Sequence, residues 1–570
     1  MRPLRSGLTV LGTVLVLVLA VAALPWLRDE DPAATVLRTL YRERVPDPAV
    51  VADLRRELRL PDDPWQGAWT WLSGALRGDL GVSWVDRDPV GPEVARALAV
   101  SAGLAGAALA VAVLVTAALL LPATARAVRR GGPLGARAGA LPTLLGALPE
   151  VVLGVVLLAV LGTAAGWLPT SGWGTPAQVV LPALALGLPS GGLLARVLGA
   201  SVDGALAEPW VRTARLNGAG TRAVLGSVTR PAGAVAAPQL ALVAVGLLGS
   251  SVAVEQLFAV PGAGRTALRA VLAQDLPLLQ GCVLALVLTG LLLGLAGSWA
   301  HRALLRPAAG AGDHVVPVPV PAARTLVPLL VAGGLVLVVA VGLVRGGGGV
   351  VLGDRLATPS AAHPFGADAV GRDVLARFAQ GAVLTVGVGL AVSLFALVVA
   401  LAVAATARDT RPGVADVLNA LPAVLVGVAV TGVTGPGLLP AAAGVAAVAW
   451  VPLAVHGRAL VVQGLASGPV RAAELAGATR RQALVAHVLP AVVGPLTRHA
   501  AARVPAVSLS LAALSFLGLG AAQDSPEWGA MLAESLDYLE RAPWTVAAPV
   551  LGLLAVGVVA GTASVPRRRC

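Results

Sequence analysis

The 570 residues contain no lysine, two cysteines, 3% aromatic residues and 13% charged residues. Each scarcity excludes something. A Walker-type phosphate loop needs a Lys that reaches the terminal phosphates, and no soluble stretch is long enough for a nucleotide-binding domain, so ATP chemistry has to be supplied by other chains. Cys282 sits in an apolar run and Cys570 is the last residue, which gives no disulfide framework. The six His residues are scattered without metal-ligand spacing. Ser508, Ser510 and Ser515 lie in no G-x-S-x-G elbow. We therefore expect no catalytic residues, no metal and no cofactor, and a chain that is not an enzyme. A soluble globular chain carries about 25% charged residues. Half that density, with 57% hydrophobic residues and mean hydropathy +0.83, leaves too little polar surface for a water-soluble body.

The formal net charge is +12, carried entirely by Arg. These arginines are spread between apolar runs, not gathered on a stripe, which speaks against nucleic acid and for a lipid bilayer. Apolar stretches of about 20 residues cross the hydrocarbon core as helices. Twelve are centred near Val16, Leu109, Val156, Leu186, Val243, Leu286, Val336, Leu394, Val426, Val445, Val507 and Leu554. Arg2 and Arg5 precede the first, a pattern shared by signal peptides and signal anchors; its length and the spans that follow favour an anchor. Alternate loops are Arg-rich: Arg126, Arg129, Arg130 and Arg137, then Arg212, Arg215, Arg222 and Arg230, then Arg302, Arg306 and Arg324, and finally Arg567–Arg569. The positive-inside rule then puts both termini in the cytoplasm, and segment 28–97, where acids slightly outnumber arginines, outside.

The chain also repeats. Ala147-Leu148-Pro149-Glu150-Val151-Val152-Leu153-Gly154-Val155 matches Ala420-Leu421-Pro422-Ala423-Val424-Leu425-Val426-Gly427-Val428. Val211-Arg212-Thr213-Ala214-Arg215-Leu216-Asn217-Gly218-Ala219 matches Val470-Arg471-Ala472-Ala473-Glu474-Leu475-Ala476-Gly477-Ala478, with Pro231 and Pro490 following at equal spacing. The blocks are further apart in the first half, and the loop around Trp167–Trp173 accommodates the excess. The reading is an all-α polytopic membrane protein of two six-helix halves in parallel repeat: a first unit 1–306, a linker 307–324 rich in Pro, Gly and Val, and a second unit 325–570. After the fourth span of each half comes a polar insert, about 200–231 and 458–490, read as a short helix of small residues, a Gly reversal, and a second helix ended by Pro. Small side chains and a rigid reversal attached to spanning helices suit a docking lever for another protein.

These inserts resemble the coupling loops of binding-protein-dependent ABC importer permeases, most closely the dipeptide/oligopeptide/nickel group. The first half is similar to one permease subunit through Leu76-Arg77-Gly78-Asp79-Leu80-Gly81, Gly166-Trp167-Leu168-Pro169, Leu181-Pro182-Ala183, Val211–Arg215, and Glu255 with Phe258-Ala259-Val260-Pro261-Gly262. The second is similar to its partner subunit through His363-Pro364-Phe365-Gly366, Gly371-Arg372-Asp373-Val374-Leu375, Leu514-Ser515-Phe516-Leu517-Gly518-Leu519-Gly520 and Trp528-Gly529. The resemblance implies a fusion of both permeases in the plasma membrane of a bacterium, with two cytoplasmic ABC ATPase subunits and an extracytoplasmic solute-binding protein as partners. Its cargo would be peptides or similar small polar solutes, nickel complexes among them. The ATPase-coupling residues would be Arg212, Thr213, Ala214, Arg215 and Gly218 in one half, and Arg471, Ala472, Ala473, Glu474 and Gly477 in the other. The second insert departs from the family: Arg471 stands where Glu is usual, and Glu474 where a base is usual. Leu511 stands in place of an acid.

Glu150 and Glu255 are candidates for the solute pathway, since ionisable groups at membrane depth face a cavity or a partner. They are also the only nearby carboxylates for the rival reading, an ion-coupled secondary transporter. Arg498, His499 and Arg503 are expected to mark the start of span eleven. Trp26, Trp167, Trp173 and Trp528 are expected in an interfacial belt.

Overall fold

Lipid offers backbone groups no hydrogen-bond partners, so each span must satisfy its own. The computed structural model describes residues 2–24, 47–57, 63–134, 136–305, 326–346, 349–407, 414–419 and 421–563, together with Ala33, Ala34 and Leu37. The linker 307–324, Arg567–Arg569, Trp26 and Cys570 lie outside the described residues. The described residues are 79% helical and hold no strand, only the isolated bridges Val82–Pro89 and Ala367–Asp373.

Seven of the described helices are long and apolar enough to cross a membrane, from Val90–Arg130 to Arg480–Phe516. Four shorter apolar helices join them, at Glu150–Ala164, Leu329–Arg345, Ala423–Thr434 and Pro543–Val559. With the N-terminal helix Arg2–Ala23, a helix passes through each of the twelve expected span centres. Val90–Arg130, with 41 residues, is about 60 Å long and projects well beyond a hydrocarbon core of about 30 Å.

Small residues set the packing. Pro176–Ala207 lies along Val90–Arg130, where a Cβ on Gly187 would sit 2.6 Å from the Ala108 carbonyl and one on Gly191 2.9 Å from that of Ala112. Glycines four apart let two backbones approach where side chains would hold them off. In the second half Gly389 of Val374–Ala405 meets Ser508 of Leu489–Phe516 in the same manner. The halves meet through Gly249, which packs on Pro422, and Gly557, whose Cβ would lie 2.5 Å from the Ala147 carbonyl.

The third span of each half is broken. Ala136–Gly146 stops and Glu150–Leu157 restarts; Val414–Leu418 stops and Ala423–Thr434 restarts. Pro149 and Pro422 cap the two restarts with nearly equal torsions, φ −70 and ψ 134 against φ −68 and ψ 132. The connection from Ala164 to Pro176 is longer than that from Thr434 to Leu438, and holds most of the first half's extra length.

Three expectations are corrected. Pro231 does not end a helix, since Thr221–Leu257 continues across it. Pro490 is passed with a π-helical turn, Leu484–Val488, which absorbs the hydrogen bond that proline cannot donate. Arg498, His499 and Arg503 lie in the interior of Leu489–Phe516, not at a start. Trp528 is not interfacial: it is fully buried, stacks on Phe378 at 5.1 Å between centroids, and donates its indole N–H to the Phe378 carbonyl at 3.0 Å.

Candidate functional site

Three places in the fold carry chemistry: the paired inserts on one face, the opposite face, and a cavity between the halves.

The inserts are near copies. Pro209–Leu216 and Gly468–Leu475 each begin with Pro in the first turn. Each is pinned by one buried valine, Val211 among Val128, Val202 and Val228, and Val470 among Ala404, Val461 and Val488. Each closes with the same bonds: Gly218 N–H to the Arg215 carbonyl and Gly477 N–H to that of Glu474, both 3.0 Å, then Ala219 to Ala214 and Ala478 to Ala473, both 2.9 Å. The two glycines have φ +77 and +92, and a Cβ on either would meet nothing within 4 Å. The glycine is therefore required by the left-handed backbone and not by lack of room.

Arg212, Thr213, Arg471, Ala472 and Glu474 are exposed, whereas Ala214, Arg215 and Ala473 are partly covered. The structure adds Leu216 and Leu475, 78% and 90% exposed at matching positions of the two tips. Spacing alone marks these leucines as helix residues; only the fold shows that nothing covers them. The structure also accounts for the exchanged charge. Arg215 donates to the Arg129 carbonyl at 3.1 Å, tying the first insert to the end of Val90–Arg130. Glu474 occupies that position in the second half, and Arg480, after the reversal, donates instead to the Ala407 carbonyl at 3.2 Å. The tether is kept and its origin moves across the turn.

On the opposite face, each half pins a short helix with a hydroxyl and a carboxylate. Ser101 donates to Glu255 at 2.6 Å and accepts the Ala263 N–H at 2.8 Å, while Glu255 accepts the Arg265 N–H at 2.9 Å. Thr385 donates to Glu527 at 2.8 Å and accepts the Trp528 N–H at 3.1 Å, while Glu527 accepts from Gly529 at 2.8 Å. Ser101 and Thr385 each stand eleven residues into their helix, Val90–Arg130 and Val374–Ala405. Glu255 is thus buried and bonded away from the cavity, and Gly262 is needed because a Cβ there would overlap its carboxylate.

Nearby, Asp368 accepts from Arg372 and Arg377, both at 2.7 Å, and both arginines reach Glu534 at 2.8 Å. Burial pushes the Asp368 carboxyl up, but the hydrogen bonds from Arg372 and Val370, with the Arg377 charge, outweigh it and hold it below the usual carboxylate range. Asp275, which accepts the Ser83 hydroxyl and the Trp84 N–H, is pushed up by burial.

A cavity of about 320 Å³ lies where the halves meet. Its wall includes the break Ala147–Glu150 of the first half and Ala506, Leu509 and Ser510 of the second. Glu150 is the only ionisable group in the lining, and Ser190, Ser250 and Ser510 supply its only hydroxyls. On the helix carrying Ala506 and Ser510, His499 lies two turns toward the inserts, its ring 4.9 Å from that of His456, and Arg503 keeps a buried Nε without a partner. Among the described residues no group of His, Cys, Asp and Glu is placed to hold a metal.

The sequence profile of the family described as "Binding-protein-dependent transport system inner membrane component" matches twice, at residues 118–308 and 412–564. A di/tripeptide transport system permease protein of Pseudomonas aeruginosa is 37% identical over 197 residues, covering 33% of this chain and 65% of that protein. A dipeptide transport system permease protein of Alkalihalophilus pseudofirmus is 33% identical, covering 36% and 69%. A glutathione transport system permease protein of Pectobacterium atrosepticum is 31% identical over 303 residues, covering 53% of this chain and 96% of its own length. A nearly complete relative therefore fits within about half of this chain.

Proposed function

The chain belongs to the family of binding-protein-dependent transport system inner membrane components, and from that premise we propose that it is a complete permease pair of an ABC importer, fused in one chain. It moves peptides or similar small polar solutes across the cytoplasmic membrane of a bacterium, with both termini and both inserts in the cytoplasm. Two separate ATPase subunits grip the inserts, and an extracytoplasmic solute-binding protein delivers cargo to the opposite face. The chain hydrolyses nothing itself.

The observation that carries this reading is the duplicated insert. Each presents an exposed leucine on a helix anchored by one buried valine and closed by a left-handed glycine, and each is tied by an arginine to the second span of its half. An ATPase closing on both would transmit force directly to spanning helices on either side of the cavity. Nothing in the relatives supports ion-coupled transport.

The test is reconstitution. The purified chain should show no ATPase activity, and should acquire it together with peptide uptake when a pair of ABC ATPase subunits of the same transporter family is co-expressed. Leu216→Asp with Leu475→Asp should abolish ATPase co-purification while membrane insertion persists. Uptake driven by an ion gradient without ATPases would refute the importer.

A further inference from the structure

The cavity between the halves holds an ionisable group at one point only. Every other residue in its lining is apolar, Gly or Ser, so Glu150 brings the sole formal charge. Its place is built rather than accidental. Pro149 caps the restarted third span, so Glu150 is the first residue of Glu150–Leu157, where the helix N-terminus favours a negative charge. Gly192 packs on the Gly146 amide just before the break, and a Cβ on Gly146 would lie 3.1 Å from the Leu193 nitrogen. The break is therefore held against the fourth span.

The same break occurs in the second half, with the same proline geometry, and there the residue after Pro422 is Ala423. Interrupted spans at corresponding positions of two repeats are where transporters place their solute sites. No ion pair involving Glu150 occurs among the described residues, and no other side chain hydrogen-bonds to it. A carboxylate held in a largely apolar passage with only a backbone N–H to answer it is costly unless something positive visits it. Serines on three different spans can accept or donate beside it, and the cavity lies at the lower end of the size range of small-molecule sites.

We propose that Glu150 receives the primary ammonium of the travelling solute, the N-terminal amine of a peptide, and that this single carboxylate gives the passage its selectivity for cation-bearing ends. This rests on the importer reading and deepens it. The bases of the second half, His499 and Arg503, lie on the insert side of the cavity.

The experiment uses the full chain in nanodiscs, without ATPases or binding protein, and measures equilibrium binding of radiolabelled dialanine. Binding should be saturable, about tenfold weaker in Glu150→Gln, which is about 1.4 kcal/mol, and retained in Glu150→Asp. Alaninamide, a cation without a carboxylate, should displace dialanine from the unsubstituted chain, a result that needs no variant to fold. N-acetyldialanine, which lacks the ammonium, and equimolar nickel chloride should not. Binding that is absent, that survives Glu150→Gln, or that N-acetyldialanine or nickel displaces would overturn the assignment. Since no ATPase takes part, such a result leaves the importer reading standing, and failure of that reading shows separately in the reconstituted uptake.

Discussion

Gly477 tests the inserts at one atom. Its φ of +92 lies in the region that costs an L-residue roughly 1–2 kcal/mol, while the space around its absent Cβ is empty. Bulk is therefore not the issue, and side chains of similar size should separate by backbone preference alone. Asn, which tolerates the left-handed region, should be nearly silent; Val, whose branch at Cβ resists it, should bear the full cost or more. The bonds closing the reversal, Gly477 N–H to Glu474 and Ala478 N–H to Ala473, are what the cost works against. A penalty of 1–2 kcal/mol changes the ratio of docked to misplaced insert by a factor of about 5–30. ATPase co-purification and peptide uptake should fall together in Gly477→Val, remain in Gly477→Asn, and fall again in Gly218→Val. The unfolding temperature of the membrane domain should not move, since neither glycine lies in a span. Equal loss in Asn and Val would mean that room, not torsion, is limiting; normal uptake in the Gly218→Val, Gly477→Val double variant would remove the coupling role altogether.

The other predictions concern the opposite face. Ser101→Ala and Thr385→Val each leave a buried carboxylate and a helix N–H short of a partner, at about 1–3 kcal/mol; hydrogen exchange at the Ala263 and Trp528 amides should accelerate in the respective variant, and unchanged protection would refute the pinning role. Asp368 has its folded-state value depressed, so its contribution is complete above the ordinary carboxylate range and is lost as pH falls through the depressed value. Asp368→Asn should therefore cost about 1–3 kcal/mol at neutral pH by taking from buried Arg377 one of its two carboxylates and leaving it Glu534 alone, and the difference in unfolding temperature from the parent should vanish in strong acid; a gap independent of pH would show that charge is not what matters.

Much of this architecture was legible in the residues because lipid imposes one rule on every span. Runs around Leu109 or Leu394 read as helices whatever their neighbours, and the Arg-Ala-Gly pattern of the inserts repeats in register. What escaped depends on contacts between distant segments. Nothing in the string Glu474 to Arg480 says that one arginine takes over from another, because the acceptor is a carbonyl 73 residues away, on Ala407. Trp528 reads as interfacial until Phe378 is found beneath it. Proline is a weak stop signal here: Pro231 and Pro490 read as helix ends, yet a 37-residue helix crosses the first and a π-turn prepares the second. Glu255 and Glu150 look alike as lone acids near spans. Only position distinguishes the one bonded to Ser101 from the one facing the cavity.

The two hydroxyl–carboxylate pins differ in when they can form. A chain emerging from the ribosome folds its N-terminal portion first. Ser101 waits for Glu255, Ala263 and Arg265, all of which exist before the helix bearing Thr385 has been made. The first half can therefore lock its short helix while the second is still unwritten. Thr385 must wait for Glu527, and its helix then inserts beside a partner whose opposite face is already set. Fusion thus gives assembly a direction: the first unit acts as the template on which Gly249 receives Pro422, and a truncation after the sixth span should leave a half whose pin around Glu255 is already closed.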